Sequence, residues 1–192
     1  LEKEDFLGTI ILKDGLIEDI SSGSSSYSSS IDCEGSFIAP GLIELHTDNL
    51  ERHLQPRPGV SWPPTGAIFS HDSELLSAGI TSVFDALRVG SLISDQNSRY
   101  KKYAREVVSL IAKMQTKNIL RINHFIHLRA EVCSETLTDE LNEFNNLDNV
   151  KIISSMDHTP GMRQFRDLSK FTAYLSGKYR MSEEQVKAHF VN

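Results

Sequence analysis

The chain has 192 residues, enough for one hydrophobic core or for one domain with a small appendage. Its 39% hydrophobic and 24% charged content is that of an ordinary globular protein, and a net charge of −6 leaves no electrostatic footprint for general nucleic-acid binding. The two cysteines, Cys33 and Cys133, give neither a disulfide framework nor a zinc-ribbon spacing, and no apolar run is long enough to span a bilayer. Together with an acidic start (Glu2, Glu4, Asp5), the opposite of a signal peptide, this predicts a cytoplasmic protein with reduced thiols and no membrane partner.

Residues 1–40 read as short strands. Thr9–Leu12 is an apolar β-branched run, Lys13-Asp14-Gly15 is a turn signal, and Leu16–Ile20 alternates apolar and acidic side chains. The serine-rich stretch 21–30 is too polar to pack and is expected to be a loop. A third strand is expected near Ile31–Ile38, before Pro40-Gly41 punctuates the chain. This unit is read as the first part of a small β-sandwich.

From residue 41 to 192 strands alternate with helices. Leu42–Asp48 is the first strand, followed by a proline-rich loop. A helix over Gly66–Ala78 stops at Gly79. Ile80–Ala86 is the second strand. Arg99–Lys117 is a helix, with Tyr103, Val107, Leu110, Ile111 and Met114 at three- and four-residue steps. Leu120–Val132 is the third strand, and Thr138 is placed to cap a short helix. Val150–His158 is the fourth strand, and Ser182-Glu183-Glu184-Gln185 fits the capping box of a final helix. The fold class is therefore α/β, a partial TIM-like (β/α) barrel. A full barrel takes about 250 residues, so four units amount to half of one. Open sheet edges are unstable in a lone chain, and the sequence, which begins with Leu rather than Met, is read as a fragment of a longer protein. No Gly-x-Gly-x-x-Gly follows any strand, which disfavours dinucleotide binding.

In a barrel, alternate side chains point inward and chemistry sits at the C-terminal strand ends. Alternation puts Leu42, Glu44, His46 and Asp48 on one face of the first strand, and Thr81, Val83 and Asp85 on one face of the second. On the third strand His127, Arg129 and Glu131 share a face, while His124 falls on the other and is expected beneath a helix. On the fourth, Ser154, Met156 and His158 share a face and Asp157 opposes them. Ionisable groups thus collect at all four strand ends, and buried carboxylates and imidazoles are costly unless paired or bound to metal. Each has a structural alternative: His46 as a hydrogen-bonded core histidine, Asp85 as a cap. His53, His71 and His189 are expected to be solvated.

The block Phe37-Ile38-Ala39-Pro40-Gly41-Leu42-Ile43-Glu44-Leu45-His46 resembles the amidohydrolase superfamily signature, in which Pro-Gly leads into a first barrel strand bearing a His-x-His metal pair. His46-Thr47-Asp48-Asn49-Leu50-Glu51, Pro56-Arg57-Pro58-Gly59-Val60, Trp62-Pro63-Pro64, the stretch Gly79 to Ala86 and Asp157-His158-Thr159-Pro160-Gly161 are similar to its phosphonate-utilisation branch. Two departures stand out. Asp48 replaces the second histidine, a harder oxygen ligand, and Glu131 stands where the family carries a bridging carboxylated lysine.

The resemblance implies a metal-dependent hydrolase that releases pyrophosphate from ribose methylphosphonate triphosphate. It implies one or two divalent ions (zinc, manganese or iron) on His46, Asp48, Glu131 and His158. The family's catalytic aspartate is expected beyond Asn192, so this piece alone is expected to be inactive. The substrate is an anionic small molecule, for which Arg52, Arg57 and Arg129 are the binding candidates. A homo-oligomer and contacts with carbon–phosphorus lyase pathway proteins are the partners implied. Because fold does not fix substrate, a cyclic-amide hydrolase or deaminase on the same scaffold is the alternative, as is a non-catalytic fragment.

Overall fold

The computed structural model describes residues 5–25, 27–57, 59–91, 102–144, 149–159, 167–179 and 182–190. The chain divides into two compact units, Leu1–Pro40 and Gly41–Asn192.

In the first unit, β1 (Gly8–Lys13) and β2 (Leu16–Ser22) form an antiparallel hairpin. Asp14 and Gly15 both take positive φ (52° and 77°), the backbone a two-residue hairpin turn needs to follow strand twist. Lys13 Nζ meets Glu18 Oε1 at 3.1 Å across it. The strand expected near Ile31–Ile38 does not form. Asp32 Oδ1 accepts the Glu34 N–H at 2.8 Å, and Glu34 and Gly35 take φ of 51° and 76°. Turn chemistry wins there over the short apolar run.

The second unit is a mixed α/β arrangement around a parallel sheet, ordered β3 (Leu42–Thr47), β4 (Ile80–Val89), β5 (Asn123–Glu131), β6 (Val150–Met156). Its sequential order and crossover helices fit part of a (β/α) barrel. The proline-rich loop contains α1 (Asn49–Leu54). The crossover helix α2 (Pro64–Ser77) starts with Pro at its first turn and ends before Gly79, whose φ of 79° suits glycine. The remaining helices are α3 (Ala104–Thr116), α4 (Leu137–Asn142), α5 (Leu168–Tyr179) and α6 (Glu183–Phe190). The cap of α4 is Thr136 rather than Thr138. The box at α6 forms as read: Gln185 N–H donates to Ser182 Oγ at 3.2 Å, and Ser182 N–H to Gln185 Oε1 at 2.9 Å. Among the described residues no helix is long and apolar enough to cross a membrane.

The core lies between sheet and helices. Ala67 and Ile68 of α2 and Val107, Val108, Ile111 and Met114 of α3 pack with Leu87, Val89, Ile126 and Leu128. Odd-numbered residues of β4 and even-numbered residues of β5 therefore face the helices. The opposite face carries Phe84, Ala86 and Arg88 in register with Phe125, His127 and Arg129. In a barrel this second face looks inward, so the crossover helices decide which side chains reach the site.

Candidate functional site

His46 and Glu131 lie on the inward face, with Asp48 just past the end of β3 and His158 just past the end of β6. Only Glu131 and His158 meet each other, while His46 and Asp48 each meet a different residue. At the C-terminal end of β5, Glu131 is buried, and its Oε1 accepts the His158 backbone N–H at 3.1 Å while Oε2 meets His158 Nδ1. Burial pushes the Glu131 carboxyl up, but the His158 ring and N–H outweigh it and leave the group below its ordinary range. Beside this pair, Cys133 Sγ lies 3.1 Å from Asp157 Oδ1 and 2.9 Å from Thr159 Oγ1, and burial raises its pKa.

His46 meets a different neighbour. Its ring stands edge-to-face against His127, with centroids 4.9 Å apart and planes at 78°. His127 is buried, its Nε2 is 2.8 Å from Ser154 Oγ, and its Nδ1 has no hydrogen-bond partner among the described residues. Burial, then the nearby His46 and Arg129, lower the His127 pKa against the pull of the Leu45 carbonyl. Asp48 Oδ2 lies 3.5 Å from Arg129 Nη1, an ion pair at the edge of normal hydrogen-bond length.

The other cations sit elsewhere. Arg52 Nη2 is 2.5 Å from Glu74 Oε1 on the exposed surface; His53, expected to be solvated, is instead largely covered and its Nε2 meets Glu74 at 2.7 Å. Arg57 is exposed beside its bridge to Val60. Pro58, Pro160 and Gly161 of the sequence blocks, and the side chain of His189, lie outside the described residues.

Asp85 faces the helices rather than the inward side, so the second strand brings no carboxylate to the mouth. It belongs to a fully buried network that the sequence reading split apart. Asp85 Oδ1 lies 2.8 Å from His71 Nε2, and Oδ2 lies 2.7 Å from His124 Nδ1. His124 Nε2 reaches Asp72 Oδ1 at 3.3 Å, which also accepts the N–H groups of Arg121 (2.9 Å) and Ile122 (3.2 Å). Asn49 Nδ2 lies 3.4 Å from His71 Nδ1. His71 is thus buried, not solvated, while His124 lies beneath a helix as alternation places it. The missed signal was helical spacing: Ile68, His71, Asp72 and Leu75 share the inner stripe of α2.

Ligand atoms of His71, Asp85 and His124 lie within 4.8 Å of one another, a spacing that can hold a metal ion. Their hydrogen bonds also close without one. His124 faces a carboxylate oxygen at each ring nitrogen, which is the environment of an imidazolium. Burial alone would lower its pKa, but Asp85 and Asp72 raise it. At Asp85, burial pushes the carboxyl up, and the two histidines outweigh that and lower it.

No family model matches the chain, and no solved structure matches it. The alpha-D-ribose 1-methylphosphonate 5-triphosphate diphosphatase of Escherichia coli (strain K12) is 34% identical to it over 189 residues, 98% of this chain and 50% of that protein. The chain is a homologue of that diphosphatase. It spans about half the length of this relative. Similarity to the diphosphatase takes in both units, and it agrees with the branch to which the His46–Glu51 and Asp157–Gly161 blocks pointed.

The inward side chains also fit a metal chemically. Imidazoles of His46, His127 and His158 with carboxylates of Asp48 and Glu131 are the nitrogen and oxygen donors that first-row divalent ions take. The buried His127 Nδ1 has no hydrogen-bond partner among the described residues, which leaves a nitrogen that an ion could engage.

Proposed function

We propose that this chain supplies part of a metal-dependent hydrolase that releases pyrophosphate from a ribose methylphosphonate triphosphate in phosphonate utilisation. The observation carrying this reading is the 34% identity, over 98% of the chain, to a curated diphosphatase of that substrate. In the whole protein, β3 and β6, the edges of the four-stranded sheet, would pair with further strands to close a barrel.

His46, Asp48, Glu131 and His158 would hold one or two divalent ions, which supply Lewis-acid polarisation of a phosphoryl oxygen and an acidified water. The chain's own residues then have distinct tasks. The Glu131 carboxylate, held ionised by His158, offers a fixed negative oxygen at the end of a rigid strand. Arg129 shares the inward face with Glu131 and is the cation best placed to bind a phosphate. Its 3.5 Å contact with Asp48 lies at the limit of hydrogen-bond length, so an incoming phosphate can compete for the guanidinium. Hydrolysis adds water oxygen to phosphorus, breaks the phosphoanhydride bond, and releases pyrophosphate with ribose methylphosphonate phosphate.

The test is turnover of the triphosphate by the purified whole protein, followed by phosphorus NMR. Pyrophosphate should appear, chelator should abolish it, and added zinc or manganese should restore it. Glu131→Gln should slow release by at least about 10–100-fold. Absence of pyrophosphate, with ammonia or ring opening from a cyclic amide instead, would sink the assignment.

A further inference from the structure

We propose that His127 is a metal ligand acting through Nδ1, and that it shares a divalent transition-metal ion with the imidazole of His46. This deepens the metal-dependent reading above and rests on it. The first observation is an imbalance within one ring. His127 is 6% exposed, its Nε2 is engaged by Ser154 Oγ at 2.8 Å, and its buried Nδ1 makes no hydrogen bond among the described residues. An unsatisfied buried polar atom is costly, so a native site retains one where something else completes it.

The second observation is what stands next to it. A metal-bound imidazole commonly gives its other nitrogen to a hydroxyl, carbonyl or carboxylate, which fixes tautomer and ring orientation. Ser154 fills that role here if its Oγ accepts from Nε2–H, leaving Nδ1 as the lone-pair nitrogen. The His46 ring lies 4.9 Å away, centroid to centroid, and is exposed on its open side. Two imidazoles from β3 and β5 therefore stand side by side on the inward face. Neither ring belongs to the buried network of His71 and His124, in which all four ring nitrogens already have partners. An imidazole pair selects ions such as zinc, cobalt, nickel or iron over magnesium or calcium.

The experiment strips the purified whole protein with chelator, then titrates it with zinc and with cobalt, measuring affinity by calorimetry and ligation by proton NMR of the cobalt form. Wild-type protein should show exchangeable imidazole N–H resonances shifted by the paramagnetic ion. His127→Gln should remove one of them and weaken binding by about 100-fold or more. Ser154→Ala should keep that resonance while weakening binding by about 10–100-fold. It also serves as the test should His127→Gln fail to fold. If wild-type protein binds neither ion, the metal-dependent reading falls and this inference with it. If wild-type binds and both variants match it in affinity and resonance count, the metal-dependent reading stands and the assignment of His127 is wrong.

Discussion

His124 and Asp85 meet at 2.7 Å in the layer between sheet and helices, where both side chains are completely buried. His71 holds the other oxygen of Asp85, and Asp72 faces the other nitrogen of His124. Four ionisable side chains thereby tie α2 to β4 and to the start of β5. Such a network is costly to desolvate, and removing one member leaves the others uncompensated.

The pH dependence of stability follows from this pairing. The His124 pKa is raised on folding, so its contribution is fully present below the ordinary histidine value of 6.5 and is lost as pH rises through the higher folded value. The Asp85 pKa is lowered, so its contribution is present above the ordinary value of 3.8 and fades as pH falls through the lower folded value. The network should contribute most between about 3.8 and 6.5. Thermal midpoints measured from pH 5 to pH 9 should decline on the alkaline side, and His124→Gln should flatten that decline. Asp85→Ala should cost about 3–5 kcal/mol in denaturant unfolding at pH 6. A loss under about 1 kcal/mol would mean that the four groups are not coupled as described.

The two arginines that differ most in surroundings should separate in kinetics. Arg129 lies on the inward face with a side chain 17% exposed, whereas Arg52 is committed to Glu74 on the surface. Arg129→Gln should raise KM for the triphosphate by about tenfold or more, the loss of a charge-assisted contact of roughly 1.5–3 kcal/mol. Arg52→Gln should leave KM within about threefold and change stability by less than about 1 kcal/mol, as for exposed ion pairs generally. Equal effects on KM would place the substrate over the α1 side of the mouth.

Gly90 fixes how β4 ends beside Glu131. Its φ is 79°, its N–H donates to buried Glu140 Oε2 at 3.0 Å, and an added Cβ would lie 2.8 Å from Ser134 Cβ. Gly90→Ala should destabilise by about 2–4 kcal/mol, combining left-handed strain with overpacking, as read from guanidinium midpoints. A neutral result would show that the turn relaxes freely and does not constrain the β5–α4 connection.

Much of this protein follows from its sequence because alternation and turn chemistry act locally. Period-two patterning located β3 through β6, glycine and proline marked their ends, and Ser182 with Gln185 announced a cap that the structure contains. Alternation also grouped His127, Arg129 and Glu131 on one face, and the motif around His46 pointed to the branch in which a homologue is found. Tertiary structure alone decided which face looks toward the helices. Crossover packing turned Asp85 away from the mouth and buried His71 against it, because a strand pattern says which residues share a side but not what covers that side. Register decided the rest, setting His127 rather than Glu131 beside His46 and leaving Glu131 to His158, since distances between strands depend on pairing that no single strand encodes.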